Sequence, residues 1–356
     1  MIHSPNTVLA KYLKDVIDVI QPRLEINKPR DISFYVGTNI NGAPHIGTYL
    51  VQSFAFVMAQ KIRDKFNLPV KIVFGIHDNI SLDSKTDSEG FIYHRTYHHA
   101  LGNGEINRLI EEYYSPYFKE LEVATGVSYT IEVYSDKQAT RDFREHFLKT
   151  LGHINEIRWC VAPSSGFLQI RIPCPKCSYS ERDATHTKLT NFDGRSASFK
   201  CQCLEHGSYE AVIAVENDTY IDLSTLYRNI VKEFSMIDSK DDLHVVIKGG
   251  DWVYSTETID WALGVLGYTA VQTPMRIFLP QVVTATGAKL SKSLISEGHE
   301  SVEDIPEWMI DMRKFKELYP NYLDKMLQLT ETMMTDPRHV FRSYSHKEIE
   351  RLLTKE

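Results

Sequence analysis

The sequence has no long apolar run: no segment approaches the roughly 20 consecutive apolar residues that a membrane-spanning helix requires. Residues 1–14 also lack the basic stretch and continuous apolar core of a secretory signal peptide. Basic residues are fewer than acidic ones, 40 against 47, and the net charge is −7. Since proteins that hold nucleic acid through its phosphates are basic over at least one face, extensive nucleic-acid contact is disfavoured. We therefore expect a cytoplasmic protein with no membrane or DNA partner.

Cysteine is scarce except in one short segment. There are five cysteines in all, and four of them fall within about 30 residues: Cys174, Cys177, Cys201 and Cys203. In a chain without an export signal, such a cluster indicates metal binding before disulfides. The remaining one, Cys160, follows a tryptophan and is better interpreted as a core residue.

The spacing within this cluster is typical of two zinc knuckles. Cys174-x2-Cys177 forms the first knuckle, and Cys201-x-Cys203-x2-His206 forms the second. We expect a structural Zn²⁺ bound by Cys174, Cys177, Cys201 and either Cys203 or His206. Because four protein ligands would fill its coordination sphere, the metal would stabilise the fold and take no part in chemistry.

The hydrophobic pattern near the N-terminus predicts an α/β fold. A short β-rich run, Ile32 to Val36, leads through a glycine-rich turn to a helical pattern from Ile46 to Phe66. Pro69 to Gly75 is an apolar run that reads as a buried parallel strand. A strand, a helix and a second strand in this order predict a Rossmann-like, doubly wound parallel sheet. The polar segment Ser81 to Gly90 is expected to be a loop.

The length of 356 residues exceeds what one hydrophobic core usually organises, so we expect more than one unit. Residues 1–90 would form the first half of the catalytic domain, and 91–215 a helical insertion that carries the zinc knuckle. Residues 216–300 would complete the catalytic domain with a lysine-containing loop, and 301–356 would form a short helical C-terminal region.

The first functional signature is the turn from Gly37 to Thr48, between the predicted strand and helix. Open α/β sheets bind nucleotides at this position, where free amides at a helix N-terminus attract phosphates. His45 can donate a hydrogen bond to a phosphate oxygen. The candidate nucleotide-binding residues in this turn are Gly37, Asn39, Gly42, Pro44 and Gly47. The alternative is an ordinary tight turn with an incidental histidine.

The second signature is the loop from Thr284 to Ser293, which follows an apolar, strand-like run. Its two lysines, Lys289 and Lys292, are three residues apart among small hydroxyl side chains. A flexible loop of this kind can close on a polyphosphate and neutralise charge that develops as the α-phosphate is attacked. Taken alone, it is also compatible with a solvated surface loop.

Together the two signatures resemble those of class I aminoacyl-tRNA synthetases, over about Ser33 to Ser293. The family's His-Ile-Gly-His motif reads His45-Ile-Gly-Thr48 here, and its Lys-Met-Ser-Lys-Ser motif reads Lys289-Leu-Ser-Lys-Ser293. Between them, Gly249-Gly-Asp-Trp252 is similar to a Gly-x-Asp-His segment found in several members.

The zinc-knuckle segment between the signatures makes the sequence most similar to class I lysyl-tRNA synthetase. There are departures from that family's pattern. Thr48 and Trp252 each stand where the family has a histidine. Only about 60 residues follow Ser293, where the family continues into a large helical anticodon-binding region.

The resemblance implies that an amino-acid carboxylate attacks the α-phosphate of ATP, giving an aminoacyl adenylate and pyrophosphate. Mg²⁺ would be held by the phosphates and water. The implied catalytic residues are His45, Thr48, Lys289 and Lys292. The further implied nucleotide-binding residues are Gly250, Asp251, Ser291 and Ser293. The implied substrate-binding residues are Asp78 and Asp222, as counter-charges for the ammonium group, and Trp252 as a pocket wall. Asp78 is equally compatible with a loop carboxylate that caps a helix.

Four functions are compatible with these motifs. The first is a tRNA ligase with lysine as the first candidate substrate, and the second is a stand-alone ligase that passes the aminoacyl group to a non-tRNA acceptor. The short C-terminal region and acidic charge favour the second, so tRNA is a possible but not a required partner. The third is a non-catalytic regulator that binds an amino acid or tRNA, which only Thr48 favours. The fourth is a nucleotidylyltransferase, although those enzymes usually lack the lysine motif and the zinc insertion.

Overall fold

The computed structural model describes residues 13–238, 242–290 and 305–354. The strands in these ranges are β1 (Asp31–Asn39), β2 (Val70–His77), β3 (Ser81–Thr86), β4 (Ile92–Thr96), β5 (Tyr129–Val133), β6 (Ile170–Arg171), β7 (Ser180–Glu181), β8 (Lys188–Phe192), β9 (Ser196–Cys203), β10 (Gly207–Ala214), β11 (Asp222–Leu223), β12 (Asp242–Gly249), β13 (Met275–Leu279), β14 (Val282–Val283) and β15 (Tyr344–Ser345).

The α-helices in the same ranges are α1 (Gln21–Asn27), α2 (Ile46–Phe66), α3 (Tyr97–Tyr113), α4 (Ser115–Thr125), α5 (Tyr134–Ala139), α6 (Arg141–Leu151), α7 (Ile154–Val161), α8 (Thr225–Ile237), α9 (Val253–Val265), α10 (Glu307–Ile310), α11 (Met312–Leu318), α12 (Tyr322–Met334), α13 (Pro337–Val340) and α14 (His346–Thr354). Short 3-10 helices precede α1 (Val16–Ile20) and α9 (Gly250–Trp252). None of the helices in the described parts of the chain combines the length and apolar character needed to cross a bilayer.

A five-stranded parallel sheet forms the centre of the fold, in the order β13-β12-β1-β2-β5. The chain builds one side of this sheet from β1 to β5 and the other from β12 to β13, so the direction of winding changes between β1 and β12. The predicted doubly wound α/β fold is confirmed. In such sheets a crevice opens beyond the carboxyl ends of the two strands at the switch, where ligands usually bind.

The burial pattern of the central strands explains why they occupy this sheet. Ile32, Phe34 and Val36 on β1 are at most 2% exposed, and Ser33 between them is also fully buried. Burial on both faces is typical of a parallel sheet covered by helices. Strand β5 lies within residues 91–215, so the segment predicted as an insertion contributes one strand to the central sheet.

Helix α2 follows β1 and covers the sheet with a largely apolar surface. It begins at Ile46 and ends at Phe66, as the hydrophobic pattern predicted, and Asn67 ends it in a left-handed conformation. The C-terminal helix α12 packs against α2. In addition, the amide of Met312 at the start of α11 donates a hydrogen bond of 3.1 Å to the carbonyl of Pro44. The C-terminal helices therefore support the turn that leads into α2.

A second hydrophobic core joins the cysteine-containing segment to the helices on either side of β12. Phe199 on β9, Tyr227 on α8 and Leu263 on α9 are fully buried members of this core. The three-stranded antiparallel sheet β10-β9-β8 contributes buried residues to this core. Segment Ser81 to Gly90 differs from the prediction of a loop, because Ser81–Thr86 pairs with β4 as an antiparallel strand. Its side chains are mostly exposed, so it has no apolar alternation to reveal a strand.

Candidate active site

A cavity of about 490 Å³ opens at the switch point between β1 and β12. This volume is within the range of small-molecule sites. Its walls come from the ends of β1, β2 and β12, the turn before α2, one face of α8 and the lysine loop. Of the sequence-predicted residues, those that line it are Gly37, Asn39, Pro44, His45, Gly47, Thr48, Asp251, Trp252 and Lys289. The two signatures therefore meet in one cavity.

His45 caps the N-terminus of α2 with its own ring. Its Nδ1 accepts a hydrogen bond of 3.1 Å from the amide of Gly47, and the backbone of His45 is extended, as an N-cap requires. Because Nδ1 is the acceptor, the neutral ring carries its proton on Nε2, which is the nitrogen that can donate to an anion. A Cβ on Gly47 would lie 3.0 Å from the ring, so glycine at this position lets the ring cap the helix.

The turn before α2 is anchored by a tyrosine that the sequence did not single out. The hydroxyl of Tyr114 donates to the carbonyls of Asn39, at 2.7 Å, and Gly42, at 3.1 Å. Gly42 has a φ of +92°, which favours glycine, but it does not line the cavity. Gly42 thus shapes the turn. Gly37 does line the cavity, and a Cβ there would lie 2.7 Å from Nε2 of His77.

Asp251 and Lys289 form an ion pair at the mouth of the cavity. The Lys289 Nζ to Asp251 Oδ2 distance is 2.7 Å, and both side chains remain partly exposed. Gly249 allows this position of Asp251, because a Cβ on Gly249 would lie 2.6 Å from Asp251 Oδ1. Gly250 follows in the 3-10 turn and does not line the cavity. The predicted residues Ser291, Lys292 and Ser293 lie outside the described residues.

Asp78 and Asp222, predicted as counter-charges for a substrate ammonium group, do not line the cavity. Asp78 is fully buried, and its Oδ1 accepts a hydrogen bond of 3.1 Å from the amide of Ser135 in the first turn of α5. This contact matches the alternative prediction of a carboxylate that caps a helix, and the other oxygen, Oδ2, lies 3.5 Å from Nδ1 of His98.

Asp222 is held in a buried network under the cavity. Its Oδ2 lies 2.9 Å from Nε of Arg171, and its Oδ1 accepts a hydrogen bond of 2.8 Å from Asn79. Burial by itself would raise the pKa of Asp222, but the Arg171 guanidinium and hydrogen bonds from His94 and Asn79 outweigh it and lower that pKa. The carboxylate is therefore ionised, and its ion pair with Arg171 links β11 to β6, the strand that pairs with it.

The structure also reveals a cationic wall that the sequence interpretation missed: His77, Arg228, Lys232 and Lys248. Arg228 and Lys232 are one helical turn apart on α8, and both line the cavity together with Thr225 and Asn229 of the same helix. The signal available in the sequence was a pair of basic residues at i and i+4 in a helix that also carries many apolar residues.

Burial gives two groups of this wall unusual proton affinities. It lowers the pKa of Lys248 to about 7, although Glu233, 3.5 Å away, partly opposes the effect. Burial, together with the charge of Arg228, holds the pKa of His77 well below its usual range, so His77 is neutral at physiological pH. Lys248 also lies over the ring of Trp252, with Nζ 5.1 Å from the centroid.

The cysteine segment forms a separate group of four potential metal ligands: Cys174, Cys177, Cys203 and His206. Their ligand atoms all lie within 4.8 Å of one another. The Cys177 Sγ to Cys203 Sγ distance is 3.4 Å, and His206 Nδ1 lies 3.5 Å from Cys203 Sγ and 3.7 Å from Cys174 Sγ. Tetrahedral zinc with Zn–S bonds of about 2.3 Å separates its ligand atoms by about 3.6–3.8 Å. The donor set and the spacing both fit this ion.

Cys201 is not a member of this group, which corrects the prediction that it is a ligand. It lies two residues before Cys203 on β9, and two residues advance a strand by about 7 Å. This displacement moves Cys201 into the second hydrophobic core, where burial raises its pKa to about 11. The group contains both Cys203 and His206, whereas the sequence predicted either one or the other. None of the four ligands lines the cavity.

Comparison with known proteins gives matches among solved structures. No family model matches the sequence, and no curated protein matches it either. Among solved structures, the chain is similar to a glutamate tRNA ligase from Elizabethkingia meningosepticum (TM-score 0.42, 11% identity, 90% of this chain and 68% of that chain covered). It is also similar to tyrosyl-tRNA synthetase from Archaeoglobus fulgidus (TM-score 0.41, 13% identity, 96% of this chain and 93% of that chain covered). A third similar structure is a putative arginyl tRNA synthetase from Campylobacter jejuni (TM-score 0.34, 10% identity, 96% of this chain and 72% of that chain covered).

Proposed function

We propose that this protein activates an amino acid with ATP, forming an aminoacyl adenylate and pyrophosphate, and then transfers the aminoacyl group to an acceptor. One observation carries the proposal. The His45 turn at the start of α2 and the Asp251–Lys289 pair line the same cavity, at the switch point of a doubly wound sheet. Neither motif alone distinguishes a nucleotide site from an ordinary turn or surface loop, but their meeting in one cavity favours the site.

In this proposal the triphosphate lies at the N-terminus of α2. The helix offers free amides and a partial positive charge there, and Nε2–H of His45 donates to a phosphate oxygen. Thr48 donates from the first turn of the helix, where the resembling family has a second histidine. Mg²⁺ would supply charge neutralisation on the phosphates, held by them and by water. Lys292 would assist from the part of the lysine loop outside the described residues.

The lysine loop has two positions in the proposed cycle. In the structure Asp251 pairs with Lys289. When ATP binds, Asp251 turns to the ribose and Lys289 to the phosphates. An amino-acid carboxylate oxygen then forms a bond to the α-phosphorus, the bond from that phosphorus to the bridging oxygen of the β-phosphate breaks, and pyrophosphate leaves with the electron pair. Lys289 stabilises the charge that accumulates on the phosphate oxygens.

The acceptor is either tRNA or another nucleophile, and the sequence resemblance makes lysine the first amino acid to test. We further propose that the protein acts in the cytoplasm and that the four-part division at residues 90, 215 and 300 holds, with β5 belonging to the central sheet. Cys174, Cys177, Cys203 and His206 would hold a structural zinc that fixes the inserted segment.

The test is amino-acid-dependent exchange of pyrophosphate into ATP, with each of the twenty amino acids, with and without total tRNA. Exchange with one amino acid would establish adenylation. Lys289→Ala should reduce it, whereas Lys188→Ala, which removes an exposed lysine on β8, should not. Transfer of the labelled amino acid to tRNA, or only to small amines, would then separate the two acceptor classes.

Two outcomes would contradict the proposal. Binding of ATP and an amino acid without exchange would indicate the regulator instead. Exchange that depends on a phosphorylated co-substrate and on no amino acid would indicate a nucleotidylyltransferase.

A further inference from the structure

The cationic wall leads into a small recess at the end of the main cavity. Both spaces share Val36, Gly37, His77, Arg228 and Lys232 as lining residues. The recess measures about 30 Å³, and about 10–15 Å³ of such volume holds one water molecule. It therefore has room for a group the size of a carboxylate. Apart from Gly37, no residue of the two signature segments lines it, so it extends beyond the part of the cavity proposed for ATP.

The guanidinium of Arg228 is held rigidly at this recess. Its Nη1 donates a hydrogen bond of 2.6 Å to Asn79, and the ring of Tyr134 lies below it at 5.5 Å. Arg228 is only 4% exposed, and its Nε has no hydrogen-bond partner in the described parts of the chain. A buried donor without a partner is costly, and an acceptor on a bound ligand would satisfy it.

The charges lining the two spaces are predominantly positive. Their carboxylates are Asp251 and Glu132. Asp251 pairs with Lys289, and Glu132 lies 3.3 Å from Lys137. Within the wall, His77 is neutral and Lys248 lies 3.5 Å from Glu233, which leaves Arg228 and Lys232 as the cations that face the recess. The ammonium group of a lysine substrate would meet Arg228 and Lys232, which repel it.

We propose that the activated substrate carries a second anionic group, which enters the recess against Arg228 and Lys232, so that the amino acid is a dicarboxylic one of the glutamate or aspartate class. This inference rests on the proposed function. The carboxylate that attacks the α-phosphate stays near the His45 turn, while the side-chain carboxylate points towards α8. Arg228 and Lys232 are then the residues that determine specificity.

The experiment compares L-glutamate, L-aspartate, L-glutamine and L-lysine in pyrophosphate exchange and, separately, in calorimetric binding with a non-hydrolysable ATP analogue. Glutamine is the neutral control for glutamate. An acidic amino acid should have the lowest KM. Lys232→Met should raise that KM about 30-fold or more, because removing one partner of a buried charge pair weakens binding strongly. Lys232→Arg should restore most of the affinity, and Lys188→Met is the matched control on the surface.

The outcomes separate this inference from the proposed function. Exchange with lysine or a neutral amino acid alone would overturn the inference and leave the proposed function standing. Binding of glutamate or aspartate that depends on Lys232, without exchange, would support the recess and overturn adenylation. A Lys232→Met variant with lower affinity for the ATP analogue and unchanged affinity for the amino acid would show that the recess takes a phosphate, which would overturn the inference. Absence of both binding and exchange would overturn both.

Discussion

Nζ of Lys289 lies 2.7 Å from Oδ2 of Asp251, which connects the lysine loop to the turn after β12. The two residues are 38 positions apart in the sequence, yet they share the mouth of one cavity. An exposed ion pair of this kind contributes little to stability, so its two partners can separate when a stronger ligand arrives. Separation of the pair would make Lys289 available to a polyphosphate and Asp251 available to a ribose.

Lys289→Ala should lower the maximal rate of pyrophosphate exchange by about 10²–10³-fold, because it removes a cation that stabilises charge in the transition state. The thermal unfolding temperature should stay near that of the wild type, since the side chain is exposed. Steady-state exchange kinetics and a thermal melt measure the two quantities. A rate equal to that of Lys188→Ala would exclude Lys289 from the chemistry.

His45→Ala should lose both the cap of α2 and the proposed phosphate donor, whereas His45→Asn should lose chiefly the donor. Asparagine is a good N-cap, and loss of a cap costs about 0.5–2 kcal/mol. We therefore expect urea unfolding to give a lower free energy of unfolding for His45→Ala than for His45→Asn. Exchange kinetics should show reduced activity in both variants. Normal exchange by His45→Asn would limit His45 to capping the helix.

Cys203→Ser should abolish the binding of about one zinc per chain, whereas Cys201→Ser should retain it. Sulfur and imidazole atoms at the spacing found here match a tetrahedral ion, and Cys201 is buried in the neighbouring core. Metal analysis of the purified proteins by mass spectrometry, with a chelator titration monitored by circular dichroism, tests both statements. Equal zinc content in the two variants would contradict the assignment.

Asp222→Ala should destabilise the fold by about 3–5 kcal/mol, because it leaves Arg171 buried without its partner. Once allowance is made for the folded fraction, the KM for the amino acid should rise by less than it does in Lys232→Met, since Asp222 does not line the cavity and acts on Arg228 through Asn79. Urea unfolding gives the first quantity and exchange kinetics the second. A large KM change in fully folded protein would restore Asp222 to the substrate site.

Stability should fall as the pH drops from about 6.5 towards 4, and His244 should contribute to that fall. Burial lowers the pKa of His244 to about 4, and neither ring nitrogen has a hydrogen-bond partner among the described residues. Between those pH values the unfolded chain binds a proton at His244 that the folded chain excludes, so lowering the pH favours unfolding.

His244→Leu removes this titration while the other histidines remain. The loss of unfolding free energy between pH 7 and pH 5 should therefore be about 2 kcal/mol smaller in the variant than in the wild type. Urea unfolding of both proteins at the two pH values makes the comparison. Identical losses would mean that His244 titrates normally in the folded protein.

Local sequence patterns predicted the parts of the fold that depend on neighbouring residues. Ile46 to Phe66 forms the expected helix, since its apolar spacing and the cap at His45 are both local features. The run from Ile32 to Val36 lies within β1 for the same reason. The strand Ser81–Thr86 was not predicted because its side chains are mostly exposed, and its pairing with β4 is a contact that local sequence patterns do not reveal.

The sequence by itself determined the parallel α/β organisation, the two motifs that line the cavity and the segment that carries four potential metal ligands. Only the tertiary structure decided which side chains meet. It excluded Cys201 because a strand carries that residue past the knuckle, and it placed Asp78 and Asp222 in buried hydrogen-bond networks. It also brought Arg228 and Lys232 to the recess. Spacing along the chain specifies local geometry, whereas contacts between distant segments depend on how helices and strands pack.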